Sequence, residues 1–408
     1  MLDINLIRKN AQKVKEACKN KNVNTNVDEI LSLDKKRREL IVKSENLKSQ
    51  QNKLGKDNIE EAKKLKSEFR EIEPELKKVE EKLSTLLLQL PNVPFDDVPV
   101  GKDDSENAIL RKVGKPPKFS FATRDYMQIG QVLDLIDTER AGKVAGSRFG
   151  YIKNQLVLLE FALAKLVMNI VVKEKFQPVI PPVMLREEMA RGTGYFEAGD
   201  RNEAYFLPDD KMYLVGTSEQ SLIAMHANEI LDEKKLPLRY AGFSTCFRRE
   251  AGSYGKDTKG ILRVHQFDKL EMVIFSTAEQ SKKEHQLLLK IEEKLMKALE
   301  LPYQVINICT GDLGRPAAAK YDIEAWLPSE NKYRETHSTS NCTDFQARRL
   351  NIRYKDKNNK MQFVHTLNGT ALAIGRILIM ILENYQQKDG TVKVPKVLQK
   401  YCGFKTIK

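Results

Sequence analysis

The sequence predicts an α+β protein: an antiparallel hairpin of two long helices, then a larger domain in which helices and strands alternate irregularly. Three observations predict it. Leucines recur every seven residues at Leu33, Leu40, Leu47 and Leu54. A second apolar series, Leu65, Phe69, Ile72, Leu76, Val79, Leu83, Leu86 and Leu90, keeps spacings of three or four. Both are heptad patterns, and Gly55-Lys56-Asp57-Asn58 between them reads as a turn that folds one helix back on the other. Past the linker, helical stretches at 155–175, 217–234, 278–299 and 369–385 alternate with short β-rich runs, an order that fits α+β and not a repeated βαβ unit.

In chain order, residues 3–20 read as a short amphipathic helix and residues 28–90 as the hairpin arm. A helix of 27 residues is roughly 40 Å long, enough to project from a domain. Pro74 interrupts the second helix and is expected to kink or loosen it. Residues 35–56 carry eight Lys/Arg against Glu39 and Glu45, a balance of +6, whereas residues 57–82 carry seven basic and nine acidic residues, a balance of −2. A basic helix on an arm suits a phosphate backbone; a solvated coiled-coil face accounts for the charge equally well. Leu90-Pro91-Asn92-Val93-Pro94, with Pro99, Pro116 and Pro117, ends the arm. The expected domains are 1–110 and 111–408.

The 408 residues, 41% hydrophobic, can bury a large core, and the net charge of +13 favours a polyanionic partner. The apolar run at 378–382 is too short to span a membrane, and residues 1–10 lack a signal-peptide core. Cys18, Cys246, Cys309, Cys342 and Cys402 lie far apart, which points to reduced thiols in the cytoplasm and away from a zinc site. Neither a P-loop nor a Rossmann glycine fingerprint is present, so an adenine nucleotide would bind on a sheet surface.

Residues 239–271 read as a hairpin with a long Gly- and Lys-rich loop. Arg248 offers a planar fork suited to an α-phosphate. Glu250 can accept from an adenine amino group, and Phe267 can stack on a purine. An ordinary hairpin with a surface ion pair would explain any one of these residues, though poorly the set. The pattern Phe247-Arg248-x-Glu250, loop, Arg263-x-x-x-Phe267 resembles motif 2 of the class II aminoacyl-tRNA synthetases, and within them the seryl-tRNA synthetases. That resemblance implies a catalytic domain with an antiparallel sheet flanked by helices. It implies Arg248 and Arg376 as catalytic groups. It places ATP against Arg248, Arg249, Glu250, Val264, Phe267 and Arg376, serine against Arg248 as well, with Glu271 near its amino group, and the 251–260 loop, with Lys256, near the tRNA acceptor end. The arm, through Lys36, Arg37 and Lys43, would grip the long variable arm of tRNA(Ser).

Other segments fit the same family. The helix at 155–175 followed by Phe176–Pro182 resembles motif 1, which implies a homodimer; a buried helix leading into an edge strand is the plainer alternative. Thr217-Ser218-Glu219 resembles the serine-binding segment, although Thr217 with Gln220 also reads as a helix capping box. Glu335, Thr336, His337 and Ser338 match the ATP and Mg²⁺ segment, with Glu335 and Ser338 as the metal's protein oxygens. His337 and Thr339 depart from the family's usual residues, either as a local structural variation or as a change at the nucleotide site. Asn368, Gly369, Thr370 and Arg376 resemble motif 3, with Asn368 and Thr370 closing the serine pocket and Arg376 on the γ-phosphate. The remaining histidines, His226, His265, His285 and His365, read as structural.

The family implies activation of L-serine by ATP and transfer to tRNA(Ser), with charging of tRNA(Sec) left open, and no side chain need act as base or nucleophile. A ligase that loads a carrier protein and a non-catalytic regulatory paralogue are the competing classes. The arm argues against the first, and the retained Arg248, Glu250, Glu271, Glu335 and Arg376 against the second.

Overall fold

A computed structural model describes residues 1–54, 58–196, 200–251 and 260–408. The Gly55–Asp57 part of the arm's turn, and Lys256 with most of the motif 2 loop, lie outside the described residues. The chain divides into two compact units, Met1–Val93 and Pro94–Lys408. This division falls earlier than the expected 110/111 boundary. The Phe95 amide donates to Ala318 O at 2.9 Å, and Val98 is buried with Ile306 and Ile308. Phe95 and Val98, past Pro94, are therefore bonded and packed within the second unit.

The first unit holds α1 (Val27–Lys53) and α2 (Ile59–Gln89). The side chain of Asn26 accepts from the Glu29 amide and starts α1, with Asp28 and Glu29 favourably placed at the positive end of the dipole. Leu40, Leu47, Ile72 and Val79 are buried along the seam, flanked by Leu33, Leu65, Phe69 and Leu76. These are the heptad positions read from the sequence. The helix runs unbroken through Pro74, because Pro74 and Arg70 are both exposed and water can bond the carbonyl that the proline leaves free. The 3–20 stretch is two helices, Ile4–Lys9 and Ala11–Asn20, broken at Asn10. Arg8 fixes the first by a fork onto buried Asp34 at 2.6 and 2.7 Å, holding that carboxyl below its ordinary range.

The second unit is built on an eight-stranded sheet. Its strands are β1 (Ala108–Val113), β2 (Gln177–Val179), β3 (Leu238–Phe247), β4 (Gln266–Ser276), β5 (Tyr303–Asn307), β6 (Ala319–Leu327), β7 (Lys332–Asn341) and β8 (His365–Ala373). The order is β1-β5-β6-β7-β8-β4-β3-β2, antiparallel throughout except where the edge strand β2 runs parallel to β3. Three helices, α3 (Gln155–Lys173), α5 (Ala278–Ala298) and α6 (Ile374–Asn384), contribute to the main apolar core.

By length and composition α3 is apolar enough to cross a membrane, which reading the 378–382 run alone missed. Leu156, Leu159, Leu163, Leu166, Val167 and Val171 bury one of its faces in the core, which explains the apolar residues of that face, while Leu158, Phe161 and Val172 are exposed. Two helix boundaries also move. The 217–234 stretch is α-helical only over Ser218–Ala224, here α4; Asn228 turns through φ +64°, and Ile230–Asp232 pairs with Arg353–Lys355. Residues 369–373 belong to β8, whose positions 366–372 are all buried. A continuously apolar central strand has no alternation to distinguish it from a buried helix.

Candidate active site

Two adjoining hollows, of about 310 and 540 Å³, open on one face of the sheet and share Arg248, Glu250, Arg263, Lys269, Glu335 and Thr370. They form one cleft with two lobes. Strand geometry explains why these side chains meet. Phe267, Lys269 and Glu271 sit at alternate positions of β4 and point to the same face. On neighbouring β8 a register shift brings Thr370 opposite Glu271, and the Thr370 hydroxyl donates to Glu271 Oε2 at 3.3 Å.

The smaller lobe is lined by Val264, Phe267, Thr336 and Arg376, besides the shared residues. Strand β3 ends at Phe247, so Arg248 and Glu250 leave the strand, Glu250 with φ +51°. Arg248 lies 5.3 Å over the Phe267 ring centroid, and its Nε donates to Gly216 O at 3.1 Å. His265 Nδ1 lies 2.9 Å from Arg248 O and helps fix the backbone there. Arg263 meets Glu250 at 3.2 Å. Arg376, in the first turn of α6, donates to Glu335 O at 2.9 Å and lies 3.3 Å from its carboxylate. The Glu335 side chain is half exposed, and Arg376, Lys320 and Arg248 around it hold its pKa low.

A bulge at Thr336 decides which residues of β7 enter the cleft. Ile323 of β6 pairs with His337 and Glu324 with Glu335, so Thr336 is the extra residue. In a regular strand Glu335 and Ser338, three apart, would point to opposite faces. The bulge sets both in the cleft and turns His337 away.

Carboxylates dominate the larger lobe. Glu219 is fully enclosed, and Tyr195 Oη (2.9 Å), Gln346 Nε2 (2.9 Å) and Asn368 Nδ2 (3.0 Å) all donate to it. Burial, and next the Glu271 charge, push Glu219 up to about 7 despite these donors. Glu271 pairs with Lys269 at 2.6 Å. Lys320 reaches Asp322 at 3.0 Å; burial works against its cation, but Asp322 and Glu335 raise its pKa. Thr217 caps α4 by accepting from the Glu219 amide at 3.3 Å, while Gln220 Oε1 accepts from Gly216 N at 3.0 Å, so the cap is not a reciprocal box.

Of the residues expected at the site, Arg248, Glu250, Val264, Phe267, Glu335, Thr336, Ser338 and Arg376 line the cleft, as do Thr217, Glu219, Glu271, Asn368 and Thr370. Three expected residues do not. Ser218 is buried behind α4 against Gly242 O at 3.5 Å. Arg249 donates its amide to Glu203 O at 2.8 Å and lays its guanidinium over Tyr205. His337 is buried against Thr336 at 2.9 Å, and burial pushes it down to about 4, leaving a neutral imidazole. The structure also adds Tyr195, Gln346, Lys269 and Lys320. Lys269 was legible, since it alternates with Phe267 and Glu271; Tyr195 and Lys320 reach the cleft from distant segments, Gln346 holds Glu219 from the buried side, and none of the three carries a local signal.

Among the described residues no group of three or more His, Cys, Asp and Glu is placed to hold a metal. Glu335 and Ser338 suit a hydrated divalent ion that keeps several waters and takes its other oxygens from phosphates. The three cations around Glu335 disfavour an ion arriving without that anionic ligand.

In the arm unit, Lys36 pairs with Glu75 at 2.6 Å and Arg37 with Glu80 at 2.9 Å across the two helices. Lys43 is exposed beside Val42 and Asn46 on one open face of α1.

Comparison with known proteins gives two family matches. Residues 1–94 match the seryl-tRNA synthetase N-terminal domain, and residues 205–385 the tRNA synthetase class II core domain (G, H, P, S and T). A serine–tRNA ligase of Treponema denticola is 44% identical over the whole of both chains. The crystal structure of seryl-tRNA synthetase from Pyrococcus horikoshii complexed with ATP superposes with a TM-score of 0.95 at 41% identity, covering 100% of this chain and 99% of that one. The cytoplasmic serine–tRNA ligase of Naegleria fowleri in complex with AMP gives 0.91 at 34% identity, with the same coverage.

Proposed function

The chain belongs to the seryl-tRNA synthetase family, and from that premise we infer that it is a serine–tRNA ligase. It activates L-serine with ATP to seryl-adenylate and pyrophosphate, then transfers the seryl group to the 3′ end of tRNA(Ser). The two-lobed cleft carries this reading: a lobe with two arginines, Arg248 and Arg376, and an aromatic platform, Phe267, adjoins an acidic lobe, and Arg248, Lys269 and Glu335 lie on their common border.

The nucleotide occupies the smaller lobe. Adenine stacks on Phe267, Glu250 and the Val264 segment lie beside its edge, Arg248 meets the α-phosphate and Arg376 the γ-phosphate. The serine ammonium enters the acidic lobe near Glu271, and Glu219, Asn368, Thr370 and Thr217 close it around the hydroxyl. The serine carboxylate is the nucleophile: its oxygen bonds to the α-phosphorus as the bond to the pyrophosphate oxygen breaks. No proton moves in that step, so positioning and fixed positive charge are what the chain supplies. Glu335 and Ser338 would hold magnesium, whose chemistry is to neutralise charge on the phosphates. The tRNA hydroxyl then attacks the seryl carbonyl, the bond from the carbonyl carbon to the phosphate oxygen breaks, and AMP leaves with the hydroxyl proton on its phosphate.

We assign the exposed apolar residues of α3 and of the segment just past β2 to a homodimer. Leu158, Phe161 and Val172 share one face of α3, and Ile180 is 84% exposed. Analytical ultracentrifugation should then show twice the 46.8 kDa chain mass. No disulfide joins the five cysteines, all of which are among the described residues, and this suits a cytoplasmic protein.

The deciding experiment is pyrophosphate exchange with each amino acid in turn, followed by charging of tRNA(Ser) and tRNA(Sec). Absence of serine-dependent exchange sinks this reading, and exchange without charging of either tRNA points to a carrier-protein ligase.

Two further outcomes follow. Glu219 titrates at about 7, so serine binding weakens below that pH, by up to roughly tenfold per unit, as the carboxylate gains a proton. Isothermal titration between pH 5.5 and 8.5 checks this, and Glu219→Gln should flatten the profile. For the arm, neutral substitutions are the cleaner test, because a reversed charge at Lys36 or Arg37 would face Glu75 or Glu80 across the hairpin. Lys36→Met, Arg37→Met and Lys43→Met together should weaken tRNA binding and reduce its salt dependence by a slope of roughly 1 per lost phosphate contact. Serine-dependent exchange should be unchanged; an unaltered tRNA affinity counts against the arm.

A further inference from the structure

We propose that Lys269 is the ligand of the substrate carboxylate, held on Glu271 until an amino acid arrives and then exchanged onto it. The inference rests on the reading of the cleft as a serine-activating site, and it deepens that reading.

The Lys269 ammonium lies 2.6 Å from Glu271 Oε2, with the two side chains only 8% and 2% exposed. Thr370 already donates to the same oxygen at 3.3 Å. Lys269 is thus the buried group that neutralises Glu271 in the acidic lobe. It is also one of the few side chains that line both lobes, so it stands where the amino acid must meet the nucleotide.

A buried ion pair seldom stabilises a fold more than an apolar pair of the same volume, so its presence in a ligand cleft asks for another role. Separating the two charges without replacing either partner leaves each uncompensated at low dielectric. A free α-amino acid avoids that cost. Its ammonium takes the place of Lys269 on Glu271, and its carboxylate gives Lys269 a new partner on the side facing the α-phosphate. One ion pair becomes two. An amine without a carboxylate displaces Lys269 and strands it. The pair therefore selects ligands that carry the nucleophile of the reaction, a selectivity that Glu219, Asn368 and Thr370, which read the other end of the substrate, do not supply.

The experiment compares the dissociation constants of serine and serinamide, which lacks the carboxylate, by calorimetry on the full-length protein. Wild type should prefer serine by about 100-fold or more. Lys269→Met should weaken serine by about 100-fold and leave serinamide unchanged or tighter, collapsing the preference. Lys269→Gln, which keeps a donor for Glu271 without the charge, should show the same collapse and covers the case in which the methionine variant fails to fold. Lys269→Arg should keep the preference. A preference unchanged in Lys269→Gln, or a parallel loss of both ligands in the variants, overturns the proposal. Wild-type protein that binds no serine overturns the functional reading itself, and this proposal with it, whereas normal serine binding in the neutral variants overturns this proposal alone.

Discussion

Serine-dependent pyrophosphate exchange will fall about 1000-fold in Arg248→Ala. Arg248 lies between the lobes, over Phe267 and against Gly216 O, so its guanidinium is oriented before any ligand arrives. Charge develops at the α-phosphorus during the attack, and a preformed donor there acts mainly on the transition state. The loss should therefore appear chiefly in kcat. Arg248→Lys should recover little, because a single ammonium on a flexible stem cannot reproduce the planar fork or its stacking. The thermal midpoint serves as the control, since the side chain supports no element of the core. A fall of less than tenfold in either variant would remove Arg248 from the chemistry.

The second large effect concerns stability as well as function. Glu271→Ala should abolish measurable serine binding and destabilise the catalytic unit by about 3–5 kcal/mol, because it leaves Lys269 as a buried cation without its partner. Denaturant titration of the variant, with the arm unit as an internal reference, measures this. Glu271→Gln combined with Lys269→Met removes both charges and should restore most of the stability but none of the serine binding, since a well-packed neutral pair is no worse for the fold than the ion pair. Equal destabilisation in the single and double variants would show that packing, and not the stranded charge, is responsible.

The arm was the most legible part of the chain. A coiled-coil seam is written locally, and Leu40, Leu47, Ile72 and Val79 fall where the heptads put them. The hairpin of β3 and β4 was legible for the same reason: alternation set Phe267 and Glu271 on one face, and the antiparallel register followed. Legibility failed where periodicity was interrupted or absent. Residues 369–373 looked helical because a central strand buried on both sides has no alternation. His337 and Ser338 could not be assigned to faces from spacing, because the bulge at Thr336 inverts every position beyond it.

By itself the sequence determined the arm and the α+β class, and its motifs, by their resemblance to those of the seryl-tRNA synthetases, marked Arg248, Glu271, Glu335, Asn368 and Arg376 as candidates for the site. These are properties of short windows, where residue type and spacing are enough. Only the tertiary structure decided which of those groups share the cleft and in what state of charge. Tyr195, Gln346 and Asn368 converge on Glu219 from separate segments, and Lys269 neutralises Glu271. Lys320, Arg248 and Arg376 together keep Glu335 ionised. Burial and the Coulomb terms that set these states depend on distance in space and on the exclusion of water, neither of which is encoded in spacing along the chain.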